Sequence, residues 1–442
     1  MEKPNSRSDL LARAVASARQ TLPGTTALAR RLGPGLITGA ADDDPSGIAT
    51  YSQAGSQFRF GLVWTLLLTT PLMIGIQMLS ARIGWVTGEG LAANIAKVCP
   101  RWLTMLLVGL LVVANTINIA ADIRAMAEAA RLLVGGSATL LILAFGGACL
   151  LGQVLFSYER SVRILKWLTF SLFSYFAVIM VVHVPLQQLA VESLRPWSFF
   201  PPGASVNEYA GMVVAVLGTT ISPYLFFWQA AQEVEDNLRR PEAAELRGNA
   251  AYAQEHLYRI KQDTYIGMLF SNAIALCIVV ATAVTLNQQG ITDIQSSAQA
   301  AEALRPVAGE FAFAVFALGI VGTGLLAVPV LAGSAAYAVS EVFGWKAGLS
   351  HGFHEARGFY AIIIVATGLG TLMSIFEVDP IRALVWSAIV NGVISVPIMF
   401  VMMWIGQSPR IMGALTMSTR HRIFGWAATG VMAMAVAFML SS

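Results

Sequence analysis

Apolar stretches of roughly twenty residues recur from Leu32 to the end of the chain, separated by short polar or charged junctions. A helix rises 1.5 Å per residue, so about 20 residues cross a hydrocarbon core about 30 Å thick. The pattern predicts eleven membrane-spanning helices, at 32–57, 61–81, 102–131, 137–157, 163–184, 208–235, 262–286, 309–340, 357–377, 380–405 and 411–440. The expected fold class is all-α and polytopic. An odd number of spans puts the termini on opposite sides of the bilayer. With the N-terminus inside, the inner tail and junctions hold 22 Lys and Arg and the outer junctions 5. Cytoplasmic loops are the ones that carry such an excess. The expected location is the inner (cytoplasmic) membrane, with the N-terminus cytoplasmic and the C-terminus outside.

The junctions differ in character. Residues 1–31, with Lys3, Arg7, Arg13, Arg19 and Arg30, read as a basic cytoplasmic tail; they lack the apolar core and cleavage site of a signal peptide. Residues 185–207 combine four prolines with Trp197, Phe199 and Phe200, as expected of an ordered external loop at the interface. The charged stretch 236–261 holds Pro241 and the sequence Glu242-Ala243-Ala244-Glu245, where a short cytoplasmic helix is expected. Residues 287–308 read as a polar external loop.

Two spans break the apolar pattern near their middles. In the first, Asp42, Asp43 and Asp44 are followed by Pro45, Ser46 and Gly47. A charge at mid-bilayer costs a few kcal/mol on insertion scales, and Pro45 removes an amide from the helical ladder. The arrangement that satisfies both is a pair of half-helices with an unwound elbow turned into the protein. In the sixth span, Gly218, Thr219, Thr220, Ser222 and Pro223 interrupt the run in the same way. Each broken span precedes four unbroken ones. Breaks at matching places in two halves point to a transporter built from inverted repeats. The domains read as the tail 1–31, a first five-helix repeat 32–184, the external loop 185–207, a second repeat 208–405, and an eleventh helix with the C-terminus in 406–442.

Composition narrows the function. Only 12% of the 442 residues are charged and 56% are apolar, with a mean hydropathy of +0.66. A soluble domain is about 25% charged, so lipid is the solvent for much of this chain. A net charge of +3 gives no reason to expect nucleic acid as a partner. Cys99, Cys149 and Cys277 are isolated and read as small core residues. No metalloprotease, P-loop or serine-hydrolase motif is present, so enzymatic or ATP-driven activity is not expected. Nothing in the pattern demands more than a monomer.

At its two elbows the chain resembles the Nramp family of proton-coupled divalent metal transporters. The resemblance covers about residues 32–405 and rests on the opening LGPG, on DPSGIATYSQAG, on IQMLSARIG and on DTYIGMLFSNAI. It implies a LeuT-like fold with the first and sixth helices unwound, a 5+5 inverted repeat plus an eleventh helix. It also implies a divalent metal cation as transported substrate, with no cofactor, and protons as co-substrates. The family's Asp-Pro-Gly-Asn motif corresponds to Asp44, Pro45, Ser46 and Gly47, so the metal-binding Asp is kept and the Asn is lost. The family's ligand Met falls on Ser222, the backbone-carbonyl ligand before it on Thr219, and the His after the proline on Tyr224. A second His, implicated in proton handling, falls on Gln229. Of the third-helix Asp-Leu-Ala-Glu, Asp122 remains and the Glu becomes Ala125.

These departures remove the thioether that selects softer metals. What remains is oxygen: the Asp44 carboxylate, Asp43 or Asp42 beside it, the Ser222 hydroxyl, and carbonyls near Ala41 and Thr219. Such a set suits magnesium, calcium or manganese. The small Gly47 is expected to leave room for a more hydrated ion. Asp122 is a candidate proton or ion relay, with Tyr224, Gln229, Asn391 and Gln53 as candidate path residues. Arg124 has the spacing to pair with Glu128. Glu233, Glu235 and Asp236 read as a solvated inner face, and His183 as an interface residue. A second reading keeps the fold but makes the chain a sodium- or proton-coupled carrier of a small organic solute such as an amino acid, with Gly47 and Ser222 clearing space for it.

Overall fold

The computed structural model describes residues 34–155, 173–194, 205–238, 250–376 and 379–441. The basic tail, the aromatic stretch at 197–200 and the segment 241–245 expected to form a short helix lie outside the described residues. No strand occurs among those that are described.

The first predicted span is two helices, α1 (Pro34–Asp42) and α2 (Pro45–Phe58), meeting at Asp43 and Asp44. Next come α3 (Val63–Thr87), the short α4 (Leu91–Val98), α5 (Arg101–Val134) and α6 (Ala138–Leu155). The fifth span is described over α7 (Phe173–Val181), and the segment after it contains α8 (Leu186–Leu194). The sixth predicted span is again two helices, α9 (Val206–Thr220) and α10 (Pro223–Leu238), parted at Ile221 and Ser222. The seventh is α11 (Ala250–Thr285), which begins well before its apolar stretch. The expected polar loop at 287–308 folds into the one- and two-turn helices α12 (Ser297–Glu302) and α13 (Arg305–Ala308). The chain ends with α14 (Ala312–Phe343), α15 (Arg357–Met373), α16 (Pro380–Gln407), α17 (Pro409–Met412) and α18 (Thr419–Ser441). Among the described residues eight helical segments are long and apolar enough to cross a membrane, the α9–α10 pair counting as one; the α1–α2 pair and α7 are not among them, and α15 is a shorter apolar helix of 10–17 residues.

Polarity is inverted relative to a soluble protein. Leu106, Val113, Leu140, Trp386, Phe400, Trp404 and Met434 face outward, where lipid tails are as apolar as they are. Asp42, Asp43, Asp44 and Asp122 are all within 3% of full burial. The broken helices lie at the centre: α1 and α2 pack on α11, α9 on α16, and α10 on α3 and α14. Small residues make these approaches close. Gly39 of α1 faces the backbone of Gly267 in α11, and Gly218 of α9 faces the backbone of Ala388 and Gly392 in α16.

The short helix α4 was not apparent as an apolar run. Its N-cap residue, Gly90, provides no side-chain cap. The Ala92 and Ala93 amides donate instead to the Glu341 carboxylate of α14, at 2.9 and 3.2 Å. The space that a side chain at Gly90 would fill is taken by that carboxylate.

Candidate metal centre

The first break follows from local chemistry. Pro45 opens α2, where a missing amide costs nothing. Asp44 is the N-cap: its backbone is extended, at φ −71 and ψ 172, and its Oδ1 accepts the Gly47 amide at 2.7 Å. Asp is among the favoured caps, and its charge suits the positive end of the helix. Its other oxygen, Oδ2, accepts from Asn118 Nδ2 of α5 at 3.0 Å and from the Tyr224 hydroxyl of α10 at 3.3 Å. The same Tyr224 hydroxyl lies 3.2 Å from the Ala41 carbonyl. Tyr224 therefore ties the carbonyl end of α1 and the carboxylate cap of α2 to the second broken helix.

The second break is neutral. The Ser222 hydroxyl turns back onto α9, 2.7 Å from the Gly218 carbonyl and 2.8 Å from the Thr219 carbonyl. It carries one hydrogen, so it satisfies one of the two at a time. Thr219 Oγ1 is buried with no hydrogen-bond partner among the described residues.

Asn118 extends the network. Its amide also lies 3.4 Å from Asp122 Oδ2, one turn along α5, so its two hydrogens serve two carboxylates. Its carbonyl accepts from Ser387 of α16 at 2.6 Å, and Ser387 lies 3.5 Å from Ser46. The structure thus brings together Asp44, Ala41, Tyr224 and Asp122, and places Ser222 and Thr219 at the facing break. Asn118 and Ser387 were missed. The i, i+4 spacing of Asn118 and Asp122 was a usable signal; a lone serine in an apolar helix carries none.

Several candidates stand elsewhere or act differently. Asp43 and Asp42 turn to Ser271 of α11, away from the Asp44 oxygens that meet Tyr224 and Asn118. Gly47 leaves no free space: a Cβ there would sit 3.2 Å from the Asp42 carbonyl, 3.2 Å from the Thr219 methyl and 3.4 Å from the Tyr51 ring. The volume of the missing Asn side chain is taken up by neighbours, because α1, α2 and α9 close on this point. Gln229 accepts from Gln77 at 2.5 Å and donates to Thr264 at 3.1 Å, bonding α10 to α3 and α11. Gln53 is held by the segment between α11 and α12, accepting from the Ile294 amide at 2.9 Å. Asn391 is buried, with Oδ1 unpartnered among the described residues.

Arg124 pairs with Glu128 at 3.0 Å, as its spacing suggests. The expectation of a solvated face for Glu233, Glu235 and Asp236 is corrected. Glu233 and Glu235 are buried, and Glu235 accepts from Tyr337 and, at 2.7 Å, from the Leu349 amide. The C-terminal end of α10 is covered by α14 and the segment after it. Asp236 remains partly exposed and pairs with Arg259 at 2.8 Å.

Among the described residues no three His, Cys, Asp or Glu side chains converge as a ligand cluster. The centre offers the Asp44 carboxylate, with Asp122 behind the shared Asn118 amide, together with main-chain carbonyls and neutral oxygens.

Residues 35–442 match the family model described as natural resistance-associated macrophage protein-like, Nramp. The chain is 26% identical over 350 residues to the divalent metal cation transporter MntH of Aeromonas hydrophila, covering 77% of this chain and 80% of that one. It is 24% identical over 404 residues to the MntH of a Klebsiella pneumoniae strain, covering 89% and 90%. Its fold is similar to that of the Eremococcus coleocola manganese transporter, with a TM-score of 0.72 at 15% identity over 94% of this chain and 87% of that one. A more distant likeness is to Mhp1, a nucleobase-cation-symport-1 family transporter, at a TM-score of 0.52, 13% identity and coverages of 92% and 91%. The fold is all-α, multi-spanning and LeuT-like, and the chain belongs to the Nramp family.

Proposed function

We infer that this chain carries a divalent metal cation across the membrane by secondary-active transport, with Asp44 as the group that first replaces the ion's water. The metal is substrate, not cofactor, and the activity is transport rather than catalysis. The single observation that carries the reading is the meeting of both helix breaks at Asp44, through the Tyr224 hydroxyl, in a chain of this family. Outward swing of Tyr224 and Asn118 frees Asp44 Oδ2 and the Ala41 carbonyl for the ion. Thr219 and Ser222 supply neutral oxygens from the facing break. With oxygen ligands only, magnesium or manganese is the preferred cargo.

The test is uptake into sealed vesicles holding the purified protein, with magnesium, manganese and cadmium in competition. A sulfur ligand favours the softer ions. Ser222→Met should therefore move preference toward manganese and cadmium, by about tenfold in the competition ratio, the equivalent of about 1.4 kcal/mol. An unaltered competition profile would show that position 222 does not face the ion.

Matching breaks in the α1–α2 and α9–α10 pairs support a 5+5 repeat, with α18 as an eleventh span outside it. The charge bias of the junctions supports a cytoplasmic N-terminus in the inner membrane, with the C-terminus outside. Asp122, sharing the Asn118 amide with Asp44, is the proton relay of this scheme. Metal accumulation at fixed voltage should then rise with an inward proton gradient, and Asp122→Asn should remove that dependence. Accumulation indifferent to the gradient in the unaltered protein rules the relay out.

A further inference from the structure

Four carboxylates are buried where the broken helices meet, and the centre described above uses two of them. The other two, Asp42 and Asp43, share one hydrogen-bond donor. The Ser271 hydroxyl of α11 lies 2.6 Å from Asp42 Oδ2 and 3.2 Å from Asp43 Oδ1. A serine hydroxyl has one hydrogen, so it cannot donate to both at once. Asp42 Oδ1 and Asp43 Oδ2 are buried and have no hydrogen-bond partner among the described residues. Neither carboxylate forms an ion pair with a described Lys, Arg or His. Two charges removed from water with no compensating charge are strongly disfavoured.

A second observation comes from α2. The Tyr51 hydroxyl is fully buried and also unpartnered among the described residues. Its ring edge lies beside Gly47, next to the Asp42 backbone. A buried, unpartnered phenol on α2 thus stands beside the end of α1, where the two carboxylates meet a serine oxygen from α11.

We propose that Asp42, Asp43 and Ser271, with Tyr51 beside them, form a second cation site between α1 and α11, separate from the Asp44 centre and selective for a hard, oxygen-seeking ion. Both carboxylates touch one hydroxyl, so a single ion reaches both. An ion here cancels the charge that α1 brings against α11 and locks the first half-helix to its neighbour. The site does not depend on which ion the Asp44 centre carries.

The experiment is titration calorimetry on the full-length purified protein with magnesium, manganese and sodium chlorides, sodium being varied against choline. The unaltered protein is expected to bind two cation equivalents. Asp44→Ala should remove one. Asp42→Asn/Asp43→Asn should remove the other and leave the Asp44 equivalent in place. Ser271→Ala, a smaller change that keeps both charges, should weaken the second equivalent about tenfold. The arm that shows the second equivalent, sodium or a divalent ion, identifies the class. Unchanged stoichiometry and affinity in both the double variant and Ser271→Ala would overturn the proposal. So would a single equivalent in the unaltered protein, with a protonated-carboxyl infrared band that the double variant loses, since the pair would then share a proton. Loss of neither equivalent in Asp44→Ala would instead count against the transport centre and leave this site standing.

Discussion

Divalent-cation uptake by Asp44→Ala is expected to fall to the level of vesicles without protein. The substitution removes the one carboxylate that faces both breaks. It also strips a cap from α2 and leaves the Gly47 amide and one Asn118 amide hydrogen without an acceptor, while the Tyr224 hydroxyl keeps the Ala41 carbonyl and Asn118 keeps Asp122. Loss of the cap costs about 1 kcal/mol, and each buried donor left unsatisfied costs about 1–3 kcal/mol. Part of the loss in Asp44→Ala therefore comes from the fold. Asp44→Asn separates the two effects, because Asn caps a helix about as well as Asp. It should hold α2 in place, unfold near the temperature of the unaltered protein, and still fail to transport. Metal uptake by a well-folded Asp44→Asn variant would remove the charge at this position from the mechanism.

Gly39→Val should do its damage before any ion binds. Any Cβ at Gly39 runs into the carbonyl of Gly267, which is backbone and cannot rotate away. Helix α1 would have to lift off α11, at a cost of about 3 kcal/mol, the upper end of the usual overpacking penalty. The expected result is a marked fall in the melting temperature followed by size-exclusion chromatography, with transport lost in proportion. Gly109→Val is the control. A Cβ at Gly109 meets nothing within 4 Å, so that variant should behave as the parent. Equal stability of the two variants would show that α1 and α11 are not in backbone contact.

Much of the helical layout was legible because lipid makes the code simple. Long apolar runs marked α3, α5, α6, α14, α16 and α18 to within a few residues at most ends. The two breaks were legible because Pro45 follows three aspartates that no lipid-facing helix would carry, and Pro223 follows a cluster of Gly, Thr and Ser inside an apolar run. Helix α4 was not, since eight residues are too few to stand out as a span. The early start of α11 was hidden because its first turns are charged and lie outside the apolar stretch.

The site was read less completely. A carboxylate at Asp44 follows from a motif, but its partners come from α5 and α10, and nothing local announces them. The three consecutive aspartates looked like one cluster. They divide because Asp42 ends one helix, Asp44 caps the next and Asp43 lies between, so successive side chains leave in different directions. Gly47 was taken for open space. A missing side chain becomes a cavity only if its neighbours leave the space empty, and here the Asp42 carbonyl, Thr219 and Tyr51 fill it.

The capping of α4 by Glu341 has a mechanical consequence. A helix that borrows its cap from a partner some 250 residues away cannot shift independently of that partner. Sliding α14 by one turn, about 5.4 Å, would pull the carboxylate off the Ala92 and Ala93 amides and leave them bare. The segment between α3 and α5 is therefore moored to α14 and travels with it. Bending between this pair and the rest falls on the chain just outside the mooring, at Gly88 and Gly344. Both already sit at left-handed backbone angles, φ 68 and φ 67, that larger residues resist.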